Sequence, residues 1–523
     1  VGVVRLREGF HEAKWDEPII FELSRPGERG ILPPRVEEEV ERLVGDGVSD
    51  LPDSIVRKEA PRLPEVAQVR VLRHYLRLSQ ETLGADVNID VGQGTCTMKY
   101  SPKVNEVFVR WPQVSELHPL QDEDTVQGAL EVMYKLDLML RELSGFARFS
   151  FQPGGGSHAI YAMASIIYAY HKLHGNTGKD EIITTLLSHP SDAAAPKLKG
   201  FKVIDIPPDP DTGYPDMEAF MEAVSERTAG MIICNPEDTE IFNPHVREMI
   251  DAVHRVGGLC AWDGANANGL IGIVRPADLG FDMGFYNLHK TFSSPHGCGG
   301  PGLGALGVSR KLESFLPVPV VSYDEERRKY YLDYNPPHTI GKIREFHSVF
   351  PAVVRAYAWL MSLGGEGVRE VARTAVLNNN YLISRVLREV RGMNLSFPKT
   401  RYRVGQARYT IEELARETGI HVDDFIRRMI DFGFHLWTSH HPWIVPEPLT
   451  IEPTESYSKE DLDEYVEGLK KVAREAYEDP EKVREAPHQS VIHRIADPSM
   501  LEDPEKWAPT WRVYLRKYGG GNR

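Results

Sequence analysis

Cysteine is scarce: the 523 residues contain four, Cys96, Cys234, Cys260 and Cys298, with no CxxC and no paired spacing. A disulfide scaffold and a structural zinc site are therefore not expected, no metal is called for, and a reducing, cytoplasmic setting is the expectation. Long apolar runs are missing as well. No uncharged apolar stretch reaches the roughly 18 residues that a membrane-spanning helix needs, and the opening VGVVRLREGF is interrupted by Arg5 and Arg7, too soon for a signal-peptide core. Positive charge is in the minority, 61 Lys+Arg against 76 Asp+Glu, for a net charge of −15. That argues against general nucleic-acid binding, which needs basic surface to neutralise phosphates. Neither an internal repeat nor a low-complexity run is found. With 41% hydrophobic and 26% charged residues, the chain reads as an ordinary globular protein, not a collagen, a rod or a disordered tail.

The pattern along the chain suggests four regions. Residues 1–125 read as an extended arm with short helices at 36–45 and 66–84; in the second, Val69, Leu72, Leu76 and Leu83 fall near helical spacing and are expected to pack. Residues 126–340 read as a large α/β domain. A helix with Leu130, Met133, Leu136, Leu140 and Leu143 on one face stops near Gly145. Strands EIITTLL, FKVIDIP, AGMIICNP and GLCAWD then alternate with helices such as SHAIYAMASIIYAYHKLHG. Asn243, Pro244 and Gly257 suit the two ends of the helix between the last two strands. Repeated strand–helix units imply a mostly parallel sheet covered on both faces, with ligands bound at the carboxyl ends of its strands. Residues 341–480 read as a smaller C-terminal α+β domain with helices at 350–363, 366–390 and 411–432, and 481–523 as a Pro- and charge-rich surface tail.

The chemistry should then lie just after the strands. PGGGSH (153–158) runs into a helix, so bare backbone N–H groups and the positive helix end face one point, an anion-binding geometry. A tight turn is the plainer reading of that triplet taken alone. Asp263 ends an apolar strand, where a carboxylate is costly unless it meets a cation or a donor. Lys290 sits among Asn287, His289, Thr291, Ser293 and His296 in a glycine-rich loop unlike a solvated helical face. Gly297, Gly299 and Gly302 spell G-x-G-x-x-G, but they follow a polar loop and enclose Pro301, so a dinucleotide fingerprint is rejected. Together the clusters supply what pyridoxal 5′-phosphate requires: a lysine for its aldehyde, a carboxylate for its ring nitrogen, a flat side chain over the ring and a glycine-rich helix start for the phosphate. The order phosphate loop, stacking residue, Asp, Lys is that of the fold type I (aspartate-aminotransferase-like) enzymes.

LPEVAQVRVLRHYLRLSQ, WDGANANGLIGIVRPADLGFDMGF, NLHKTFSSPHGCGGPG and WIVPEPLTIEPTESYSKEDLD make the chain resemble, nearly end to end, the β subunits (subunit 2) of decarboxylating glycine dehydrogenase, the P-protein of the glycine cleavage system. The resemblance implies a fold type I enzyme in which Lys290 is the cofactor lysine, Asp263 the pyridinium partner and His189 the ring stacker. Gly155, Gly156, Ser157, His158, Asn266 and His289 are expected to complete the cofactor site. It further implies decarboxylation of glycine, aminomethyl transfer to the lipoyl group of an H-protein, and pairing with an α subunit (subunit 1) in a heterotetramer. The sequence departs from the family around the site. PGGGSHAI stands for PAAGAQGE, PSD follows His189 in place of GTN, and NPEDTEIF replaces NPNTLGLF, bringing in Glu237, Asp238 and Glu240; Thr95 and Cys298 also differ. Two readings of the acidic segment follow: side chains turned to solvent near a helix start, or an acidic wall facing the substrate. The second would favour a pyridoxal-phosphate decarboxylase, lyase or aminotransferase acting on another small amino acid.

Overall fold

The computed structural model describes residues 6, 17–31, 33–45, 51–59, 61, 63–81, 88–89, 91–92, 99–295, 302–400, 402–438 and 444–489. The chain forms two compact units, Val1–Glu8 with Gly84–Ala486, and Gly9–Leu83 with Pro487–Arg523.

Seven strands build the main sheet of the larger unit: β1 (Arg148–Ser150), β2 (Glu181–Thr185), β3 (Lys202–Ile206), β4 (Thr228–Cys234), β5 (Leu259–Gly264), β6 (Met283–Asn287) and β7 (Gly304–Val308). Their spatial order is β1-β7-β6-β5-β4-β2-β3. Pairing is parallel from β6 through β3, and β7 runs antiparallel to both of its neighbours. The expected mostly parallel α/β sheet is therefore present, with one reversed strand.

Alternation along the strands loads both faces. Met231, Ile233, Cys260, Trp262, Tyr286 and Ala305 enter a core shared with the helices Gln127–Ser144 and Val246–Arg255. Ala229, Ile232, Leu259, Ala261, Met283, Phe285 and Leu306 enter the opposite core, against the almost wholly apolar helix Gly156–Leu173. The helix of residues 127–144 buries Leu130, Met133, Leu136 and Leu140 as its spacing predicts, and ends at Gly145 in the left-handed conformation. Asn243 does not cap the helix directly. That helix starts at Val246, and the Asn243 Oδ1 accepts the His245 N–H at 2.8 Å, bracing the turn before it.

A hairpin, β8 (Val320–Asp324) with β9 (Lys329–Asp333), precedes the long helix Phe350–Glu389. The two segments expected at 350–363 and 366–390 are both present, as two helical arms of this span joined at a kink where the Gly364 backbone is not helical. Beyond it β10 (Asn394–Leu395), β11 (Ala407–Thr410), β12 (Trp437–Thr438) and β13 (Pro448–Ile451) form an antiparallel sheet in the order β10-β11-β13-β12. It packs with the helices Glu412–Thr418, Val422–Ile430 and Lys459–Glu478 around a separate core. The expected tail opens as a short helix, Pro480–Arg484, with Val483 buried; its part from 490 onward lies outside the described residues.

In the smaller unit the expected helices are Glu38–Val44 and Gln68–Gln80. The packing predicted for the second is overturned: Val69, Leu72 and Leu76 are 49%, 58% and 53% exposed, and Leu83 lies outside the described residues. Polar contacts order this helix instead. His74, the buried residue, places its Nδ1 2.8 Å from Glu17 Oε1, and Glu28 Oε2 meets both the Ala67 N–H and Arg70.

Candidate active site

The carboxyl ends of β1, β2, β4, β5 and β6 lie on one edge of the sheet, and each contributes a segment there. His189, Cys234, Pro236, Glu237, Asp238, Glu240, Asp263, Ala265, Asn266, Lys290 and Gln406 line a single narrow cleft. Four of the predicted residues thus converge, brought together from three strand ends: His189, Asp263, Asn266 and Lys290.

Asp263, the last but one residue of β5, is buried, and its Oδ1 accepts the Ala265 N–H at 2.8 Å. Burial raises its pKa, opposed by the nearby His189, the Ala265 N–H and Lys290. Lys290 is half-buried in the turn immediately after β6, with its N–H on the Asn287 carbonyl. Asn266 donates to Glu452 Oε1 at 2.8 Å, which ties the loop after β5 to the residue following β13.

His189 caps the helix Pro190–Leu198: its Nδ1 accepts the Ser191 N–H and lies 2.6 Å from Ser191 Oγ. Ser191 Oγ in turn lies 2.7 Å from Ser157 Oγ. This chain of side chains joins the cleft to the glycine-rich turn, where Gly155 precedes the helix that begins at Gly156. His158 folds back onto that turn, its Nδ1 accepting the Gly154 N–H at 3.2 Å, and burial lowers its pKa. His289 Nδ1 accepts the Leu303 N–H at 3.1 Å, bracing the far side of the turn; a Cβ on Gly155 would lie 3.9 Å from its ring. His296, Cys298 and the rejected glycine motif up to Pro301 lie outside the described residues, as does Thr95.

Two residues at this turn fit the phosphate and ring of the expected cofactor. Arg344 has a buried guanidinium nitrogen, Nη1, with no hydrogen-bond partner among the described residues, 3.4 Å from where a Cβ on Gly154 would stand. Asn287 Oδ1 is likewise buried and unpartnered, and its amide borders Gly156. A cation and an amide with unspent capacity beside bare helix-start N–H groups suit an anionic, polar-edged group. Sequence reasoning missed Arg344, because it sits in an irregular stretch far from the motif; its N–H is held by Gln152 Oε1. It also missed Ser191 and Asp192, which the segment PSD after His189 had marked as different.

The acidic segment does not turn to solvent. Glu237, Asp238 and Glu240 are all buried. Glu237 meets the Thr185 hydroxyl at 2.8 Å, and burial pushes its pKa up to about 8. Burial raises Glu240 well above its usual range, although its Oε2 accepts the Gly405 N–H at 2.7 Å. Asp238 pairs with Arg408 of β11 at 3.0 Å. Burial thus favours the protonated forms of Glu237 and Glu240 and Arg408 compensates Asp238, so the segment is not a wall of three free negative charges.

Comparisons with known proteins follow the same lines. The Aminotransferase class-V family model matches residues 153–324, and the model "Glycine dehydrogenase, C-terminal domain" matches residues 371–495. The chain is 46% identical over 505 residues to the probable glycine dehydrogenase (decarboxylating) subunit 2 of Pyrococcus horikoshii, covering 97% of this chain and 98% of that one. It is 40% identical to the protein of the same name from Caldanaerobacter subterraneus, covering 93% and 97%. In fold it resembles a crystal structure of an inhibitor-bound glycine decarboxylase (P-protein) of the glycine cleavage system, with a TM-score of 0.71 at 21% identity, over 84% of this chain and 100% of that one. A NifS-like protein gives a TM-score of 0.56 at 16% identity over 74% and 99%.

Proposed function

Because the chain belongs to the glycine dehydrogenase (decarboxylating) subunit 2 family, we propose that it is the lysine-bearing subunit of a glycine decarboxylase that uses pyridoxal 5′-phosphate. The cofactor, when bound, supplies an electron sink for the bonding pair released as glycine loses carbon dioxide. Lys290 would hold its aldehyde, Asp263 its ring nitrogen and His189 its ring face. Gly155, Gly156, Ser157 and Arg344 would hold its phosphate, with Asn266, His158 and His289 bracing the walls. The residues' own work is electrostatic and positional. Asp263, backed by the Ala265 N–H, holds a proton on the ring nitrogen because a buried carboxylate gains most by facing a cation. The Ser157–Ser191–His189 chain locks the orientation of the His189 ring relative to the helix start.

One observation carries the choice of glycine over a cationic amino acid. Asp238 is spent on the buried Arg408, and burial shifts Glu237 and Glu240 toward their protonated forms, which weakens the repulsion a substrate carboxylate would meet. The relatives' designation as a second subunit supports a first subunit as partner; a heterotetramer is the assembly inferred for the pair. A lipoylated H-protein is the aminomethyl acceptor, and the cytoplasm the setting in which Cys234 and Cys260 stay free thiols.

The deciding assay mixes this chain with a candidate first subunit and lipoylated H-protein and follows labelled bicarbonate exchanging into glycine. Exchange is expected with the wild type and is expected to fall to background in Lys290→Ala, whose visible cofactor absorbance should disappear on dialysis. A borohydride-reducible linkage surviving in Lys290→Ala would place the cofactor on another lysine. Absence of exchange with spectral changes on adding a different amino acid would reject glycine.

A further inference from the structure

Asp192 is fully buried one turn into the helix Pro190–Leu198, and the function above makes no use of it. One of its carboxyl oxygens, one of Asp263 and Cys234 Sγ lie within 4.8 Å of one another. Two carboxylates this close in a dry site cannot both be charged, so the pair shares one proton. The surroundings decide which residue carries it. Asp263 accepts the Ala265 N–H and has Lys290 and His189 nearby. Asp192 receives the Cys234 thiol at 3.6 Å, no cation is among the groups that shift it, its Oδ1 has no hydrogen-bond partner among the described residues, and a further acid near it is Glu237.

We propose that Asp192 is a protonated carboxylic acid that donates a hydrogen bond to Asp263, a positioning residue that aims the Asp263 carboxylate and lowers its basicity toward the cofactor's ring nitrogen. Its role toward the ring rests on the cofactor reading above; the shared proton does not. The groups around the pair fall into line. Asp263 comes from β5, Cys234 and Glu237 from the end of β4, His189 from the cap of Asp192's own helix, and Lys290 from the turn after β6. Burial and the Asp263 charge both push Asp192 upward, and burial keeps the Cys234 thiol neutral, able to donate to Asp192 Oδ2. An amide in place of Asp192 could make the same donation but could not ionise, so the acid makes the site pH-sensitive: losing its proton at alkaline pH sets a second negative charge beside Asp263 and raises the proton affinity of the site.

The test begins with infrared spectra of apoenzyme carrying 13C-carboxyl aspartate, which separates aspartic from glutamic acids such as Glu237. A protonated aspartic acid band is expected at neutral pH and is expected to lose intensity in D192N. A labelled wild type without such a band, or a D192N spectrum with the band intact, overturns the proposal, and the first of these outcomes needs no variant to fold. With pyridoxal 5′-phosphate added, D192A should bind about tenfold more weakly than D192N, which keeps the donor. The alkaline limb of the wild type's visible-absorbance titration should vanish in D192N. Equal affinities, or an unchanged limb, overturn the positioning role. Should no variant and no wild type take up the cofactor, the cofactor reading fails while the infrared result still decides where the proton sits.

Discussion

At the scale of single residues, the cleft is governed by where protons sit on buried acids. Glu237 is the plainest case, an ordinary carboxyl of pKa 4.5 pushed up to about 8 by burial, with only hydroxyl partners to offset it. Between those values the folded chain keeps a proton that the unfolded chain has lost. Stability must then fall as pH rises across this window, by on the order of 4–5 kcal/mol if Glu237 acted alone. Glu237→Gln removes the titration and keeps the shape. The melting temperature of the variant relative to wild type is expected to climb steadily from about pH 5 to about pH 8, where the ordinary and the shifted value bracket the change. A difference that stays flat with pH would mean that Glu237 is solvated and its neighbours are not those described.

At the scale of elements, the helix Phe350–Glu389 links two cores. Ala352, Val353, Ala356, Trp359 and Leu360 pack beneath the seven-stranded sheet, whereas Leu382, Ile383 and Val386 pack against the four-stranded one. A straight rod would not serve both, and Gly364 turns it, with φ 64° and ψ −178°, a conformation open almost only to glycine. No atom lies within 4 Å of a Cβ placed there, so Gly364→Ala meets backbone strain and no clash. A loss of about 1–3 kcal/mol is expected, read as a lower denaturant midpoint. A variant as stable as wild type would show that the kink belongs to the surrounding packing and not to this residue.

At the scale of the whole larger unit, the sheet that carries the cleft is bolted to the C-terminal sheet through the acidic segment. Arg408, wholly buried in β11, pairs with Asp238, while Gln406 donates to the Asp238 carbonyl at 2.9 Å and the Gly405 N–H reaches Glu240. Removing one member of a buried pair strands the other, typically at a cost of about 3–5 kcal/mol, whereas removing both is often nearly neutral. Arg408→Leu is therefore expected to lower the melting temperature sharply, and Asp238→Asn/Arg408→Leu to recover much of the loss. A double variant no better than the single one would show that the arginine acts through packing alone.

The sequence by itself determined the alternation of strands and helices, and with it the edge of the sheet on which chemistry must lie, because periodicity of apolar residues is a local property that any segment carries. Lys290, Asp263 and His189 were legible for the same reason: each directly follows or ends an apolar run, and the family resemblance matched them one by one. Tertiary structure alone decided the rest. It brought Arg344 beside the glycine-rich turn, set Asp192 against Asp263, buried Glu237, Asp238 and Glu240 where a solvated stretch was equally readable, and left Val69, Leu72 and Leu76 exposed where packing was expected. Each of these is a matter of neighbours through space. Desolvation, the sharing of a proton and the covering of an apolar face depend on atoms that arrive from distant parts of the chain, and no spacing along the chain records them.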